Sequence, residues 1–240
     1  MLSDSFETYK SNIKLVVLFS IPFIIAFLIP LLAPLPTYVS AGGIFLRSAS
    51  LFANATPLGF SLMAIAVFFS LLFLSLAFVL ISLIVKSRRT HVRIGKMVFK
   101  EIEKYISRVF IVLLIYTFAI ILANIAGYYT GYEALITGII GFFGFIAIFY
   151  APSAIVVDGK GIVRAVKESV QLTIREPQYF LIWLAAAVIV ISVVDFVVIT
   201  ATGSLLSSYV VLVINSLFIL PYFIIFQAEA YMKKFKLLKH

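Results

Sequence analysis

Six long apolar runs are separated by connections whose charge alternates, and that alternation limits what the chain can fold into more than any motif does. The runs fall at 14–35, 58–85, 109–129, 135–157, 179–201 and 209–229. Each meets the length of about 20 mostly apolar residues that a helix needs to cross a bilayer's hydrocarbon layer. The connection 86–108 carries Lys86, Arg88, Arg89, Arg93, Lys96, Lys100, Lys104 and Arg108, and 158–178 carries Lys160, Arg164, Lys167 and Arg175. The N-terminal segment adds Lys10 and Lys14, and the tail adds Lys233, Lys234, Lys236 and Lys239. The charged residues of the loops 36–57, 130–134 and 202–208 are Arg47 and Glu133. Threaded in this way, eighteen of the nineteen Lys and Arg residues lie on one side, with Arg47 alone opposite. Short loops rich in Lys and Arg stay cytoplasmic, so the pattern predicts a multi-pass cell-membrane protein with both termini in the cytoplasm. Six is the span number that keeps every basic cluster on that side.

Composition agrees. The hydrophobic fraction is 63%, the charged fraction 12% and the mean hydropathy +1.18, whereas a soluble domain runs about half apolar and a quarter charged. The spans consume most of the 240 residues, leaving a single transmembrane domain over 1–240 with no separate globular unit. The absence of cysteine excludes disulfides, thiol chemistry and Cys-ligated metals. A net charge of +9 would suit nucleic acid, but these basic residues flank apolar spans and have no soluble face to occupy. Juxtamembrane cations instead meet anionic lipid head groups, at about 1 kcal/mol each near the surface. Arg88, Arg89, Arg93, Lys96, Lys100, Lys104, Arg164 and Lys167 are the candidate contacts. Asn, Gln and His number four, three and two, a scarcity of thermolabile residues that favours a thermophilic source. Val39-Ser40-Ala41 resembles a signal cleavage site, but the preceding apolar run exceeds the about 7–15 residues of a signal h-region. The first run is therefore read as a retained span.

An amphipathic stretch precedes each odd-numbered span. Leu2, Phe6, Tyr9 and Ile13 fall at helical spacing before span one. Before span three, Gly95, Val98, Phe99, Ile102, Tyr105, Ile106 and Val109 form a stripe opposite Lys96, Lys100, Glu103, Lys104 and Ser107. Before span five, Ile162, Val166, Val170 and Ile174 recur opposite Arg164, Lys167, Glu168, Gln171 and Arg175. Apolar stripes flanked by basic residues suit interfacial helices. The expected architecture is an all-α polytopic membrane protein, with six transmembrane helices as three hairpins about a common axis. Each hairpin is expected to follow its own amphipathic interfacial helix.

At the end of span four the chain reads Ala151-Pro152-Ser153-Ala154-Ile155-Val156-Val157-Asp158, continuing through Gly161, Ala165, Ser169 and Thr173. This pattern resembles the six-span membrane-domain family associated with glycerophosphoryl diester phosphodiesterases, which also occurs as free-standing archaeal and bacterial membrane proteins. The resemblance implies a non-catalytic membrane module, since the fused phosphodiesterase domain has no counterpart in these 240 residues.

Among the intramembrane polar residues, Asp195 is the most demanding. It lies about 9 Å of helix inside the outer end of span five, where a carboxylate costs roughly 2.5–3.5 kcal/mol near the bilayer centre. Asn124 on span three and Asn215 on span six sit at similar depth, so the three are candidates for one polar cluster. Three readings are open: a substrate, ion or proton site, a hydrogen-bonded latch between helices, or a side chain reaching outer head groups. Gln227 and Glu229 at the inner end of span six are expected to pair with basic neighbours such as Lys233. Gly138, Gly141 and Gly144 favour close helix packing over a flexible gate, and Pro22, Pro30 and Pro34 imply kinks in span one.

The loop 37–57, with Ile44, Phe45, Leu46, Leu51 and Phe52, is expected to lie flat as a helix or dip back as a re-entrant piece. Asn54-Ala55-Thr56 is a sequon disfavoured by Pro57. Asp158-Gly159-Lys160-Gly161 lacks phosphate-loop spacing and reads as a turn into a helix, while His91 has no second ligand at metal-binding spacing. No HExxH, catalytic carboxylate pair or nucleophile with a base is present, so neither catalysis nor a cofactor is expected. The function expected is a module that organises lipid or a partner protein at the cytoplasmic leaflet, alone or as a homo-oligomer. The alternative is a small-molecule or ion transporter or channel with a path near Asp195.

Overall fold

A computed structural model describes residues 2–32, 37–40, 43–46, 56–90, 94–202 and 204–233. Six of its helical segments are long and apolar enough to cross a membrane. The chain is an all-α polytopic membrane protein. Helix α1 (Leu2–Ser11) leads into α2 (Ile13–Leu32), which is span one, and α3 (Pro57–Thr90) is span two. Helix α4 (Ile94–Thr130) contains span three, and α5 (Glu133–Ile148) with α6 (Ala151–Asp158) makes span four. Helix α7 (Ile162–Arg175) precedes α8 (Pro177–Thr202), which is span five. Span six is α9 (Ser204–Ile214), a π turn at Asn215–Ile219, and α10 (Leu220–Lys233). The end of the bundle that carries the basic connections is called the basic face below.

The three amphipathic stretches differ in a way that local chemistry explains. Helix α7 ends because Pro177 follows, and the residue before a proline is driven out of the α region. Glu176 accordingly sits at φ −129° and ψ 58°. Helix α1 ends at a turn where the Asn12 amide donates to Thr8 O at 3.0 Å. No proline or cap interrupts 94–130, so the second stretch is continuous with span three rather than a separate interfacial helix. That corrects the expected threefold unit.

The loop 37–57 also departs from expectation. Thr37–Ser40 and Gly43–Leu46 form an antiparallel hairpin (β1 and β2), with Thr37 opposite Leu46 and Ser40 opposite Gly43. Strand β2 packs against α2, and no helix or re-entrant segment is found among the described residues there. Thr56 of the sequon caps α3, accepting from the Gly59 N–H at 3.1 Å. Arg47, Leu51, Phe52, Asn54, Pro34 and His91 lie outside the described residues.

Span two organises the packing. Its Ala77, Ile81, Ile84 and Val85 meet Val16 and Phe23 of span one and Ile224, Ile225 and Ala228 of span six. Val79 and Leu83, on another face, join Tyr105, Val109, Ala151, Ile155 and Tyr231 in a second cluster. The hairpins are not equivalent around an axis. Half of the apolar window of span six is buried (50%), against 11% for span five, which packs mainly on span six.

Serine hydroxyls repair helices that proline interrupts. Pro30 has no N–H to give the carbonyl one turn back, and Ser70 Oγ of α3 donates to that carbonyl, Ala26 O, at 2.9 Å. The glycines of span four serve packing. A Cβ on Gly144 would lie 2.8 Å from the Tyr116 ring, and one on Gly141 would touch Ile120, while Gly138 meets nothing. The Tyr116 hydroxyl donates to Gly141 O at 3.2 Å, fastening spans three and four.

Candidate functional site

The three polar residues singled out by depth lie on spans with different principal neighbours. Asn124 lies on α4, which packs on α3, α5, α6 and α7, and its amide turns back to Ile120 O at 3.0 Å. The helices of Asp195 and Asn215 are not among those principal neighbours. Asp195 is half-buried on the stripe Ile191, Val194, Asp195 and Val198, the less exposed edge of span five beside span six. It makes no hydrogen bond or ion pair among the described residues. Asn215 is buried in the π turn, which packs chiefly against span one. Pro221 cannot donate to the carbonyl one turn back, and Leu220 N–H reaches Asn215 O instead of its α-helical acceptor.

The basic face holds the connected chemistry. Helix α7 has three sides. Ala165, Ser169, Leu172 and Thr173 are buried against the bundle. Val163 and Ile174 are 80% and 72% exposed on the next side, and Arg164, Lys167, Gln171 and Arg175 are exposed on the third. The expected interfacial stripe Ile162, Val166, Val170 and Ile174 is divided, with Ile162 and Val166 packed partly on the bundle and Ile174 exposed. In lipid a bulky aliphatic side chain gains nothing by leaving the acyl chains, so small and hydroxylated residues make the helix contact.

Ser169 enters the backbone of span four. Between α5 and α6 the amide of Tyr150 does not close on Ile146 O; it donates to Ser169 Oγ at 2.8 Å. The same hydroxyl donates onward to Ile146 O at 3.1 Å. One side chain of a surface helix therefore replaces a missing i→i−4 bond. Pro152, at the start of α6, removes another donor beside the break.

The turn from α6 to α7 is fastened by four elements. Gly159 takes the left-handed conformation at φ 69° that glycine tolerates, so Asp158-Gly159-Lys160-Gly161 is a turn into a helix as expected. Arg108 of α4 donates to Gly159 O at 2.9 Å and Lys160 O at 3.0 Å. Tyr231 of α10 donates to Asp158 Oδ2 at 2.6 Å. Lys160 lies 3.3 Å from Asp158 and forms an ion pair with Glu168 of α7. Phe149 meets Phe180 and Trp183 edge to face, with ring centroids 5.0 and 5.1 Å apart, joining the break to span five.

Helix α1 docks differently. Its buried residues are Ser5 and Thr8, while Phe6 and Ile13 of the expected apolar stripe are exposed. The Thr8 hydroxyl lies 3.0 Å from Glu229 Oε1 and accepts from Arg88. Arg88 also pairs with Glu7 at 3.1 Å. Glu229 thus takes Thr8 as a partner, whereas Lys233 lies over the Tyr179 ring at 5.4 Å. Gln227 is buried. Burial pushes the Tyr9 phenol up from its ordinary range.

Of the eight candidate lipid contacts, Lys104, Arg164 and Lys167 are exposed. Arg88 is engaged by α1. Arg93 lies outside the described residues, as do the side chains of Arg89, Lys96 and Lys100. Sequence reasoning noted Ser169 only as one of a run of small residues spaced four apart. Pro152 was the signal that a backbone gap lay nearby. Comparison with protein-family models, curated proteins and solved structures finds no match.

Proposed function

We propose that the chain is a non-catalytic membrane module that organises anionic phospholipid at the cytoplasmic leaflet, with α7 as its principal contact. The three-sided environment of α7 carries this reading. One side is packed on the bundle, one presents Val163 and Ile174, and one presents Arg164, Lys167 and Arg175. Such a helix suits the boundary between acyl chains and head groups. Native mass spectrometry of gently extracted protein tests it. Phosphatidylglycerol should be retained in preference to phosphatidylcholine. Arg164→Gln with Lys167→Gln should lower that retention by about tenfold or more, at about 1 kcal/mol per cation. Equal retention of the two lipids would reject the reading.

Asp195 supports a second reading, a transporter path along the seam of spans five and six. A half-buried carboxylate with no hydrogen-bond or ion-pair partner among the described residues is the observation behind it. Proteoliposome flux that survives Asp195→Asn would remove it.

A further inference from the structure

We propose that α7 and the break in span four form a two-state switch, in which the seating of Ser169 decides whether the helical ladder of span four is interrupted or closed at Tyr150. The inference rests on the anionic-lipid reading for its input alone. The interrupted state is the one described above, with Ser169 Oγ inserted between Tyr150 N and Ile146 O at 2.8 and 3.1 Å. Residues 146 and 150 are four apart, the spacing of a direct α-helical bond. When α7 moves outward, the Tyr150 N–H closes on Ile146 O, and the Ser169 hydroxyl turns to the carbonyl of its own preceding turn, as serines in helices do. Tyr150 N–H and Ile146 O, the two backbone groups that Ser169 bridges, are satisfied in either arrangement. Two states of one helix that satisfy the same groups are close in energy, which is what a bistable element requires.

The surroundings give the switch a handle and a moving part. The handle is the exposed side of α7. Head groups that attract Arg164 and Lys167 draw the helix away from the bundle and favour the closed form. The moving part is α5, which contains no buried residue, although its contacts with Tyr116 and Ile120 of α4 must be kept or re-formed as it moves. The two halves of span four differ sharply here, since Ala151 to Val156 of α6 are all buried. Pro152 keeps the pivot beside the break, because Ile148 O lacks its α-helical donor there in either state.

The chain has no cysteine, so spin labels at Ile139→Cys and Val193→Cys report without background. Both positions are exposed, on α5 and α8. Pulsed dipolar spectroscopy on the full chain in nanodiscs would compare phosphatidylcholine alone with a mixture containing phosphatidylglycerol. The label separation should shift with phosphatidylglycerol in the parent. Ser169→Ala should hold the shifted distribution in both lipids, and Ser169→Thr should restore the lipid response. Pro152→Ala, which returns a donor to span four by another route, should shift the distribution in the same direction as Ser169→Ala. If native mass spectrometry shows phosphatidylglycerol bound while parent and Ser169→Ala give one unchanged distribution, the switch is rejected and the lipid reading stands. If phosphatidylglycerol is not retained, the lipid reading falls. The comparison of parent with Ser169→Ala in phosphatidylcholine then decides the switch: a shift upholds it and an unchanged distribution rejects it.

Discussion

Helices α1 and α7 look alike in sequence and sit at the same face, yet they are held by different physics. Helix α1 is fastened through charge. Arg88 bridges to Glu7 and Thr8, and Thr8 continues to Glu229, with the Arg88 and Glu7 side chains 43% and 71% exposed. Helix α7 is fastened through a buried hydroxyl that completes another helix's backbone. A mostly solvated ion pair contributes little and weakens with salt. A backbone group buried without a partner costs about 1–3 kcal/mol. The comparison teaches that α7 is a structural part of span four, whereas α1 is a detachable clasp.

The sharpest way to break this contrast is Ser169→Val. The branched side chain can neither donate nor accept, and its bulk keeps Tyr150 N from reaching Ile146 O. A buried N–H and a part-buried carbonyl are left unsatisfied, so the variant should lose roughly 2–6 kcal/mol, against a smaller loss for Ser169→Ala, where direct closure is possible. Thermal unfolding followed by the fluorescence of Trp183, the single tryptophan, is well placed to read it. That ring lies against Phe149 and Phe223. Equal losses for Val and Ala would mean that the hydroxyl bridge carries no particular weight. Lys160→Met comes next. It leaves Asp158 and Glu168, 14% and 21% exposed, facing each other without their shared cation. A fully buried pair would lose about 3–5 kcal/mol, so this partly solvated one should lose roughly 2 kcal/mol, read in the same unfolding experiment.

The parts of the fold that were legible in sequence are those governed by large, local costs. Apolar run length gave six spans because an exposed backbone cannot cross hydrocarbon, and the described helices follow those runs. The apolar stripes of α1 and α7 were legible from their spacing, but the face each helix turns to the bundle was not. Small and hydroxylated residues carry no periodic hydrophobic signal. Beside lipid, Phe6 and Ile174 stay out while Ser5, Thr8 and Ser169 go in. The depth of Asn124, Asp195 and Asn215 was readable by counting, but their directions around the bundle depended on which spans pack together. The break in span four was half legible. Pro152 announced a missing donor, but which hydroxyl fills the neighbouring gap is set by residue 169, nineteen positions after Tyr150.

Smaller effects should separate the two helices further. Thr8→Val keeps the shape of the side chain while cutting the link from Arg88 to Glu229. A loss of about 1–2 kcal/mol is expected, concentrated in α1. Hydrogen exchange should rise over Leu2–Ser11 with no change over Ile162–Arg175. A rise in both would mean that the helices are docked as one unit.

The smallest effect is the most diagnostic of the clasp. Arg88→Gln retains a hydrogen-bond donor but removes the charge, so it isolates the Coulombic part of the contact with Glu7. At these exposures that part is about 0–1 kcal/mol, too small for a reliable shift in unfolding temperature. It is better read as the salt dependence of α1 protection. Raising salt to about 1 M shortens the screening length to about 3 Å, comparable with the 3.1 Å separation of Arg88 and Glu7. Exchange over α1 in the parent should therefore rise with salt toward the level of Arg88→Gln, while that variant changes little. Exchange over α7 should be indifferent to salt in both proteins, because its hold through Ser169 involves no net charge. Salt-sensitive exchange in α7 would show that its attachment is also ionic, carried by Lys160 with Asp158 and Glu168, and the two helices would then differ in degree rather than in kind.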